Sequence, residues 1–564
     1  MIQRTINGTA NQVDWTFDAL GRVTSEENLL GEFSYTYDGV TNRMSTATYP
    51  NGQTSTYSYL DGENDHRLQT IHHKYPNTST LAKFDYTYDS AGNVLTWRQQ
   101  ADTTAVLWKY GYDPADQLIS AVKHATDTPQ TVLQRFAYAY DPSGNRTVEQ
   151  NDDAGTLSAF DNLNRLTNQA PGGPMVIAGS LNEPGTVSIS GVPVTVAASN
   201  NFRGTVPTTA GTNAFTIVAK DASGNQTTQT YEITVSGSTQ TITYDANGNL
   251  NSDGIRAFEW DARNQLVAIT VGTHRSEFAY DGLRRRVRMI EKTSGTVQSD
   301  TSLVWCELSI CEERDYAGST VINRSFNRGE QVGSVSYFFN SDHLGSVAAV
   351  TNSSAASVAR YDFDPWGRRT LVGGVDVTSA GYTGHKIHGS SNLALAPFRA
   401  LDSAIGRWLS QDPIGLRGGP NLYAYSLNNP LSHVDPLGLQ CQEVTRVLLW
   451  SSSTSSITPV QPPELVNIYI ESGELDKRLS TSPVATVACF WRGWARRDLI
   501  TTKRWFGIFN CPDRCGNIRI EYEFYSEKTK TSEISMRTWS TSRQLGVFDA
   551  EVMAEIKCLM GMGR

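Results

Sequence analysis

The feature that most limits how this chain can fold is a short motif that recurs along its first three quarters. An aromatic residue and an aspartate are followed by a short spacer, a glycine or asparagine, an arginine or asparagine, and an apolar residue, as in residues 17–23 and 88–94. Related copies begin at Tyr37, Tyr112, Tyr140, Phe160, Tyr244, Trp260, Tyr280 and Phe363. A motif that recurs this often predicts a structural unit repeated along the chain, not one ordinary core.

The spacing and composition of the copies indicate β-hairpins. The aspartates of successive copies are 20 residues apart in three cases, Asp18 to Asp38, Asp141 to Asp161 and Asp261 to Asp281. About 20 residues fit one hairpin of two strands. Alternation such as Phe33-Ser-Tyr35 puts aromatic rings on one face, and Asp-x-x-Gly supplies a turn. The low charged fraction of 19 % and the 46 glycines also favour a mainly β chain.

The recurring motif resembles the YD repeat of bacterial RHS proteins, of the C components of insecticidal toxin complexes and of teneurins. In that family the repeats form a long sheet that spirals into a hollow shell. The resemblance implies that residues 1–170 and 239–336 form a fragment of such a β-sheet spiral.

Residues 171–238 interrupt the repeats. The motif disappears there, and short alternations such as Val187-Ser-Ile189 and Phe215-Thr-Ile217 stand between turn sequences. This pattern is typical of a small sandwich, so we expect an inserted immunoglobulin-like or carbohydrate-module-like β-sandwich. The sequence leaves carbohydrate open as its ligand and shows no sugar site.

Residues 337–439 carry the densest set of specific motifs. They are Asp342-His-Leu-Gly345, Asp364-Pro-Trp-Gly367, Tyr382-Thr-Gly384, Phe398-Arg399, Gly406-Arg407-Trp408, Asp412-Pro-Ile-Gly415, Asn421-Leu-Tyr423, Asn429-Pro430 and Asp435-Pro-Leu-Gly438-Leu439. In this order they resemble the RHS repeat-associated core. In the family this core plugs one end of the shell and cuts its own chain as an aspartyl protease.

The resemblance implies a site residue by residue. Asp412 and Asp435 correspond to the catalytic pair, Arg399 to its supporting cation, and Leu439-Gln440 to the bond that is cut. It implies a single-turnover autoprotease that needs neither cofactor nor metal. His433, Pro397 and Ala400 depart from residues common in the family and are expected to shift the geometry.

General chemistry explains why two carboxyl groups serve hydrolysis. An ionised one takes a proton from water, and a protonated one donates to the carbonyl oxygen or the leaving amine. Close like charges cannot both ionise, so such a pair shares one proton. His343 has no second ligand at useful spacing, so we interpret it as a structural residue and not as a metal ligand.

Residues 440–564 have a different composition and are expected to form a variable α+β domain. In the family the corresponding domain is a toxin. We also expect a terminal amphipathic helix over 548–560. They hold 16 Lys/Arg against 14 Asp/Glu, whereas the rest of the chain holds 32 against 43. All nine histidines precede this region, which excludes His-dependent nuclease and deaminase chemistry in it. Four of its cysteines fit a disulfide or buried thiols better than zinc, namely Cys489, Cys511, Cys515 and Cys558. Its activity is not predicted.

These features lead to two functional hypotheses. The first is a bacterial toxin-delivery shell that encloses residues 440–564 and releases them by cutting after Leu439, with secretion-apparatus or toxin-complex components and an immunity protein as partners. The second is a non-enzymatic surface protein whose repeats and sandwich bind carbohydrate or mediate adhesion. Both place the protein outside the cell or on its surface, although no signal peptide and no membrane span is visible. The net charge of −9 argues against nucleic-acid binding by the whole chain and leaves it open only for residues 440–564.

Overall fold

The computed structural model describes residues 2–6, 11–128 and 130–439, and six backbone segments of the last quarter, 443–453, 464–465, 491–495, 501–512, 518–529 and 535–539. The chain divides into two compact units, Met1–Gln440 and Cys441–Arg564. Strands dominate the described residues, which confirms the prediction of a mainly β chain. None of the helices in these residues has the length and apolar character that crossing a membrane requires.

The first unit begins with an antiparallel meander in which each strand pairs with the next. Its strands are β1 (Ile2–Arg4), β2 (Val13–Phe17), β3 (Val23–Asn28), β4 (Gly31–Tyr37), β5 (Met44–Thr48), β6 (Thr54–Tyr59), β7 (Leu68–Lys74), β8 (Thr80–Tyr88), β9 (Val94–Ala101), β10 (Thr104–Tyr112), β11 (Leu118–Ala125), β12 (Val132–Tyr140), β13 (Arg146–Asn151), β14 (Ala154–Phe160) and β15 (Leu166–Ser180). A 3-10 turn lies at Gly62–Asn64. As the alternation predicts, Phe33 and Tyr35 are buried while Ser34 between them is exposed.

The repeated aspartates build the turns of this meander. At Asp18, Oδ1 accepts the amides of Leu20 and Arg22 at 2.9 and 3.0 Å, and the Asp18 carbonyl accepts the Gly21 amide at 3.0 Å. Gly21 has a φ of +77°, which costs a glycine little. The second oxygen, Oδ2, binds the side chain of Arg22 at 2.7 Å. We call this arrangement the repeat turn.

The insertion folds as two facing layers that grow out of β15. This strand leaves β14 and pairs with β18 (Asn201–Thr209), opposite a four-stranded sheet of order β17-β16-β19-β20. The strands of that sheet are β16 (Gly185–Ile189), β17 (Val192–Val194), β19 (Gly211–Asp221) and β20 (Gln226–Val235). Met175, Val187, Phe202 and Phe215 are buried between the layers. The chain returns to β15 through β21 (Gln240–Thr241).

A second antiparallel meander of 14 strands follows. Its strands are β22 (Thr243–Tyr244), β23 (Leu250–Ser252), β24 (Arg256–Trp260), β25 (Leu266–Val271), β26 (His274–Tyr280), β27 (Arg286–Thr293), β28 (Thr296–Cys306), β29 (Ser309–Asp315), β30 (Val321–Phe326), β31 (Gly329–Val332), β32 (Val335–Ser341), β33 (Val347–Asn352), β34 (Ser357–Phe363) and β35 (Arg369–Gly374). A disulfide joins Cys306 to Cys311 across the β28–β29 hairpin. The spacing of these two cysteines alone did not predict it.

Residues 375–439 form an irregular segment, which we call the plug. It contains a small sheet of β36 (Lys386–Ile387), β37 (Ala394–Leu395), β38 (Ala400–Asp402) and β39 (Arg407–Trp408), and 3-10 turns at Tyr382–Gly384, Gly415–Gly418 and Ser426–Asn428. Trp408 and Tyr425 pack with Trp108 and Tyr138 of the first meander. Leu395 and Leu409 pack with Leu266 and Phe278 of the second meander. The plug therefore shares its hydrophobic core with both sheets.

The second unit is described through its backbone strands. β40 (Glu443–Ser453), β43 (Thr501–Pro512) and β44 (Ile518–Thr529) form one antiparallel sheet with β43 in the middle. β41 (Glu464–Leu465), β42 (Trp491–Ala495) and β45 (Ser535–Trp539) form another, with β42 in the middle. The predicted helix at 548–560 lies outside the described residues, as do Gln440, Cys489, Cys515 and Cys558.

Candidate active site

The site is built around one buried guanidinium in the plug. Arg399 Nη2 lies 2.8 Å from Asp412 Oδ2 and 3.1 Å from Asp435 Oδ2. The two carboxylate oxygens that share this nitrogen are therefore at most 5.9 Å apart, the sum of the two distances. The three residues are 3 to 5 % exposed. The structure thus brings together the three residues that the motifs predicted as a catalytic site, and their catalytic role remains a prediction.

Each aspartate lies at the start of an Asp-x-x-Gly turn. Asp412 accepts the Ile414 amide on Oδ1 at 3.0 Å and the Gly415 amide on its carbonyl at 2.8 Å. Asp435 accepts the Leu439 amide on Oδ1 at 2.9 Å, and the Gly438 amide lies 3.3 Å from its carbonyl. Each turn thus keeps the bond from the glycine amide to the aspartate carbonyl of the repeat turn at Asp18, and one of the two backbone amides that bind Oδ1 there.

The fourth residue after the aspartate distinguishes these two turns from the repeat turns. In many repeat turns the side chain four residues after the aspartate binds Oδ2, as Arg22, Asn93, Asn145, Arg165, Asn249 and Arg285 do. The corresponding residues after Asp412 and Asp435 are Leu416 and Leu439. A leucine side chain cannot donate a hydrogen bond. In both plug turns, Arg399 binds the oxygen that these side chains bind elsewhere.

Hydrogen bonds to three backbone carbonyls hold the turn that precedes the predicted cleavage point. The Pro436 carbonyl accepts from His385 Nε2 at 3.1 Å, and the Leu437 carbonyl from the Phe398 amide at 3.1 Å. The Gly438 carbonyl accepts from Arg399 Nε. Leu439 itself is buried. Three successive carbonyls before Leu439 therefore have fixed donors, while Gln440 lies outside the described residues.

Arg399 is fixed from several sides. Its Nη1 donates to the Leu422 carbonyl at 3.2 Å, and its Cζ lies 4.4 Å from the centre of the Trp408 ring. Gly438 has a φ of +71°, and a Cβ there would meet Arg399 Cβ at 2.9 Å. This glycine therefore lets the turn approach the backbone of Arg399.

Burial and charge oppose each other at the site. Burial raises the pKa of the Asp435 carboxyl, and Arg399 and the Leu439 amide lower it again, with a net rise. Burial lowers the pKa of Arg399, and Asp412 and Asp435 act to raise it. The raised pKa lets Asp435 keep its proton above the usual pKa of an aspartate, which makes it a candidate for the protonated acid of the pair.

The other predicted residues lie around this centre. Pro397 and Ala400 are buried on either side of Phe398 and Arg399, and His433 is exposed two residues before Asp435. His343 is half-buried and contacts the rings of Tyr86 and Trp97, and its Nε2 donates to the Leu431 carbonyl at 2.8 Å. This contact fits the structural role that we predicted for it. Among the described residues, no group of three His, Cys, Asp or Glu side chains is arranged to hold a metal ion.

Three contributors to the site were not predicted from the sequence. Trp408 stands in a motif that we noted and His385 directly follows another, but neither motif indicated a contact with the site residues. The Leu422 carbonyl is a backbone group, which any residue type supplies equally.

Comparison with known proteins finds relatives among bacterial toxins. The chain is 29 % identical over 213 residues to the tRNA3(Ser)-specific nuclease WapA of Bacillus spizizenii, covering 35 % of this chain and 9 % of the relative. It is 26 % identical over 248 residues to the double-stranded DNA deaminase toxin A of Burkholderia cenocepacia, covering 35 % and 16 %. It is 33 % identical over 102 residues to toxin protein Tse5 of Pseudomonas aeruginosa, covering 18 % and 8 %. This chain thus spans less than a fifth of the length of each of these relatives.

Among solved structures, TcdB2-TccC3 without its hypervariable C-terminal region aligns with 76 % of this chain and 24 % of its own, at 19 % identity and a TM-score of 0.36. No family model matches the chain.

Proposed function

We propose that the first unit cuts the Leu439–Gln440 bond and thereby releases residues 440–564 as a toxin. The homology of the chain to RHS-type polymorphic toxins supports this proposal. The observation that carries the proposal is that Asp412 and Asp435 share one Arg399 nitrogen, and that Asp435 begins the turn that ends at Leu439. The relatives named as nuclease, deaminase and toxin support delivery of a toxic domain. The chemistry of residues 440–564 is not part of the proposal.

The reaction is a hydrolysis that needs only water and the two carboxyl groups. A water molecule attacks the Leu439 carbonyl carbon, and the ionised carboxylate takes a proton from that water. The protonated carboxyl, which we assign to Asp435, donates its proton to the departing nitrogen of Gln440. The C–N bond breaks, leaving a carboxyl group on Leu439 and an amine on Gln440.

Tethering replaces substrate binding. Asp435 lies four residues before the bond to be cut, and the intervening carbonyls are held by His385, Phe398 and Arg399. Holding a reactant in place converts a bimolecular step into a unimolecular one and accelerates it by many orders of magnitude. The same tether limits each chain to one turnover.

Expression of the full chain tests the proposal directly. We expect the wild type to give two bands on a denaturing gel, the smaller of which starts at Gln440 in a mass spectrum. Asp412→Asn and Asp435→Asn should each stay intact, because an amide neither takes a proton from water nor donates one as a carboxyl acid does.

Asp281→Asn is the matched control. Asp281 lies in a repeat turn outside the plug, where it binds Arg285, so this variant should be cut like the wild type. A folded wild type that remains one intact band would refute self-cleavage and favour the non-enzymatic surface protein.

A further inference from the structure

His385 connects the first part of the plug to the turn that ends the plug at Leu439. It is buried, and both ring nitrogens are engaged: Nε2 lies 3.1 Å from the Pro436 carbonyl, and Nδ1 lies 2.6 Å from Thr383 Oγ1. A carbonyl can only accept, so Nε2 carries the proton and Nδ1 accepts from the threonine hydroxyl. Burial lowers the pKa of the His385 imidazole, which keeps this neutral form at neutral pH.

The residue that orients His385 has an unusual backbone conformation. Thr383 has a φ of +50°, in the left-handed region that β-branched residues rarely adopt. Its amide donates to Ser346 Oγ at 3.1 Å, which links it to the start of β33. A strained conformation persists only where surrounding contacts fix it, and such positions concentrate at functional sites.

The position of the turn explains why a donor is needed there. His385, Thr383, Pro436 and Leu437 line a partly open cavity of about 780 Å³ in the first unit. Without the imidazole, the Pro436 carbonyl would have open space beside it in place of a protein donor. The turn could then shift into the cavity and carry Leu439 away from Asp435 and Asp412.

We propose that His385 is a positioning residue for self-cleavage, which fixes the Pro436 carbonyl and so keeps the Leu439 carbonyl within reach of the two carboxylates. The inference rests on the proposed function and adds a residue to it. Small displacements of reacting groups cost up to about a hundredfold in rate. His385 exerts its effect through the turn and does not touch the bond that is cut.

Cell-free synthesis of the full chain, followed over time on denaturing gels, gives the rate of cleavage for each variant. We expect His385→Leu to be cut more than about tenfold more slowly than the wild type. His385→Gln places an amide N–H near the position of Nε2 and should be cut within about threefold of the wild-type rate. His385→Asn, whose amide is too short to reach Pro436, should be as slow as His385→Leu.

His343→Leu is the matched control, because His343 is a half-buried histidine that also donates from Nε2 to a backbone carbonyl, that of Leu431. Limited proteolysis of each variant in an Asp412→Asn background compares the folding of the uncut chains. Equal slowing in His343→Leu and His385→Leu, or no recovery in His385→Gln relative to His385→Asn, would overturn the positioning role. A wild type that is not cut at all overturns the proposed function instead.

Discussion

Asp435 uses both of its carboxylate oxygens within one short turn. Oδ1 accepts the Leu439 amide, and Oδ2 faces Arg399. These contacts favour the ionised form, whereas burial favours the protonated form, and burial prevails. Asp435 therefore combines a structural hydrogen bond to the Leu439 amide with a carboxyl group whose protonated form burial favours.

The raised pKa of Asp435 predicts how cleavage depends on pH. The protonated form persists above the usual pKa of an aspartate and is lost as the pH rises through the raised value. We therefore expect the cleavage rate to fall with increasing pH on the alkaline side of its optimum. The measurement is the rate of cleavage of the full chain during refolding from urea in buffers of increasing pH. A rate that increases steadily with pH would contradict the assignment of Asp435 as the acid.

The identity of the site residues could be predicted from the sequence, but most of their contacts could not. Asp412, Asp435 and Arg399 stand in motifs whose order is specific. The donors to Pro436 and Leu437 are a distant histidine and a backbone amide. Every residue type except proline has a backbone amide, so the residue type does not indicate such a donor. The contact of His385 with Pro436 spans 51 residues and depends on the tertiary fold.

At the scale of elements, one turn design serves both the repeats and the site. The repeat turn binds the second aspartate oxygen with an Arg or Asn side chain, and the plug turns replace that residue with Leu416 and Leu439. The sequence predicted the strand-turn-strand unit because the alternation and the Asp-x-x-Gly signal are local. It did not predict that β15 runs from the repeats into the insertion, or that the second sheet continues past residue 336 to Gly374.

This comparison predicts the effect of a single exchange. Leu416 is 77 % exposed, so Leu416→Arg can be accommodated and places a guanidinium where Arg22 stands relative to Asp18. We expect it to compete with Arg399 for Asp412 Oδ2, to make the Asp412 carboxylate a weaker base toward water and so to slow cleavage about tenfold or more. Leu416→Met, which adds no donor, is the control and should be cut at the wild-type rate. Equal rates for both variants on time-resolved gels would show that this position does not tune Asp412.

At the scale of the whole first unit, buried asparagines join the plug to the repeat turns. Asn421 Nδ2 donates to Asn145 Oδ1 at 2.8 Å and to the Ser143 carbonyl at 3.1 Å. Asn429 Nδ2 donates to Asn93 Oδ1 at 2.7 Å. The asparagines of the repeat turns thus have a second role, which their local motif does not indicate, as acceptors for the plug.

Removing one of these contacts should loosen the plug. Asn421→Ala leaves the buried Asn145 Oδ1 without this donor, and an unsatisfied buried acceptor costs about 1–3 kcal/mol. We expect a lower urea midpoint for the change in tryptophan fluorescence, measured in an Asp412→Asn background so that all chains stay intact. Asn182→Ala, at an exposed position of the insertion, should leave the midpoint unchanged. An unaltered midpoint in Asn421→Ala would show that the contact contributes little.

The hydrogen bonds described for the turn at 435–439 all involve atoms on the amino-terminal side of the Leu439–Gln440 bond. Hydrolysis of that bond would therefore leave each of them intact. The severed end would stay anchored as a new chain terminus, and its carboxylate would lie beside two acids and a single guanidinium. Because this anchored end would occupy the place of the hydrolysed bond, a second peptide could not reach the two acids, and the first unit would persist as an inert, folded remnant.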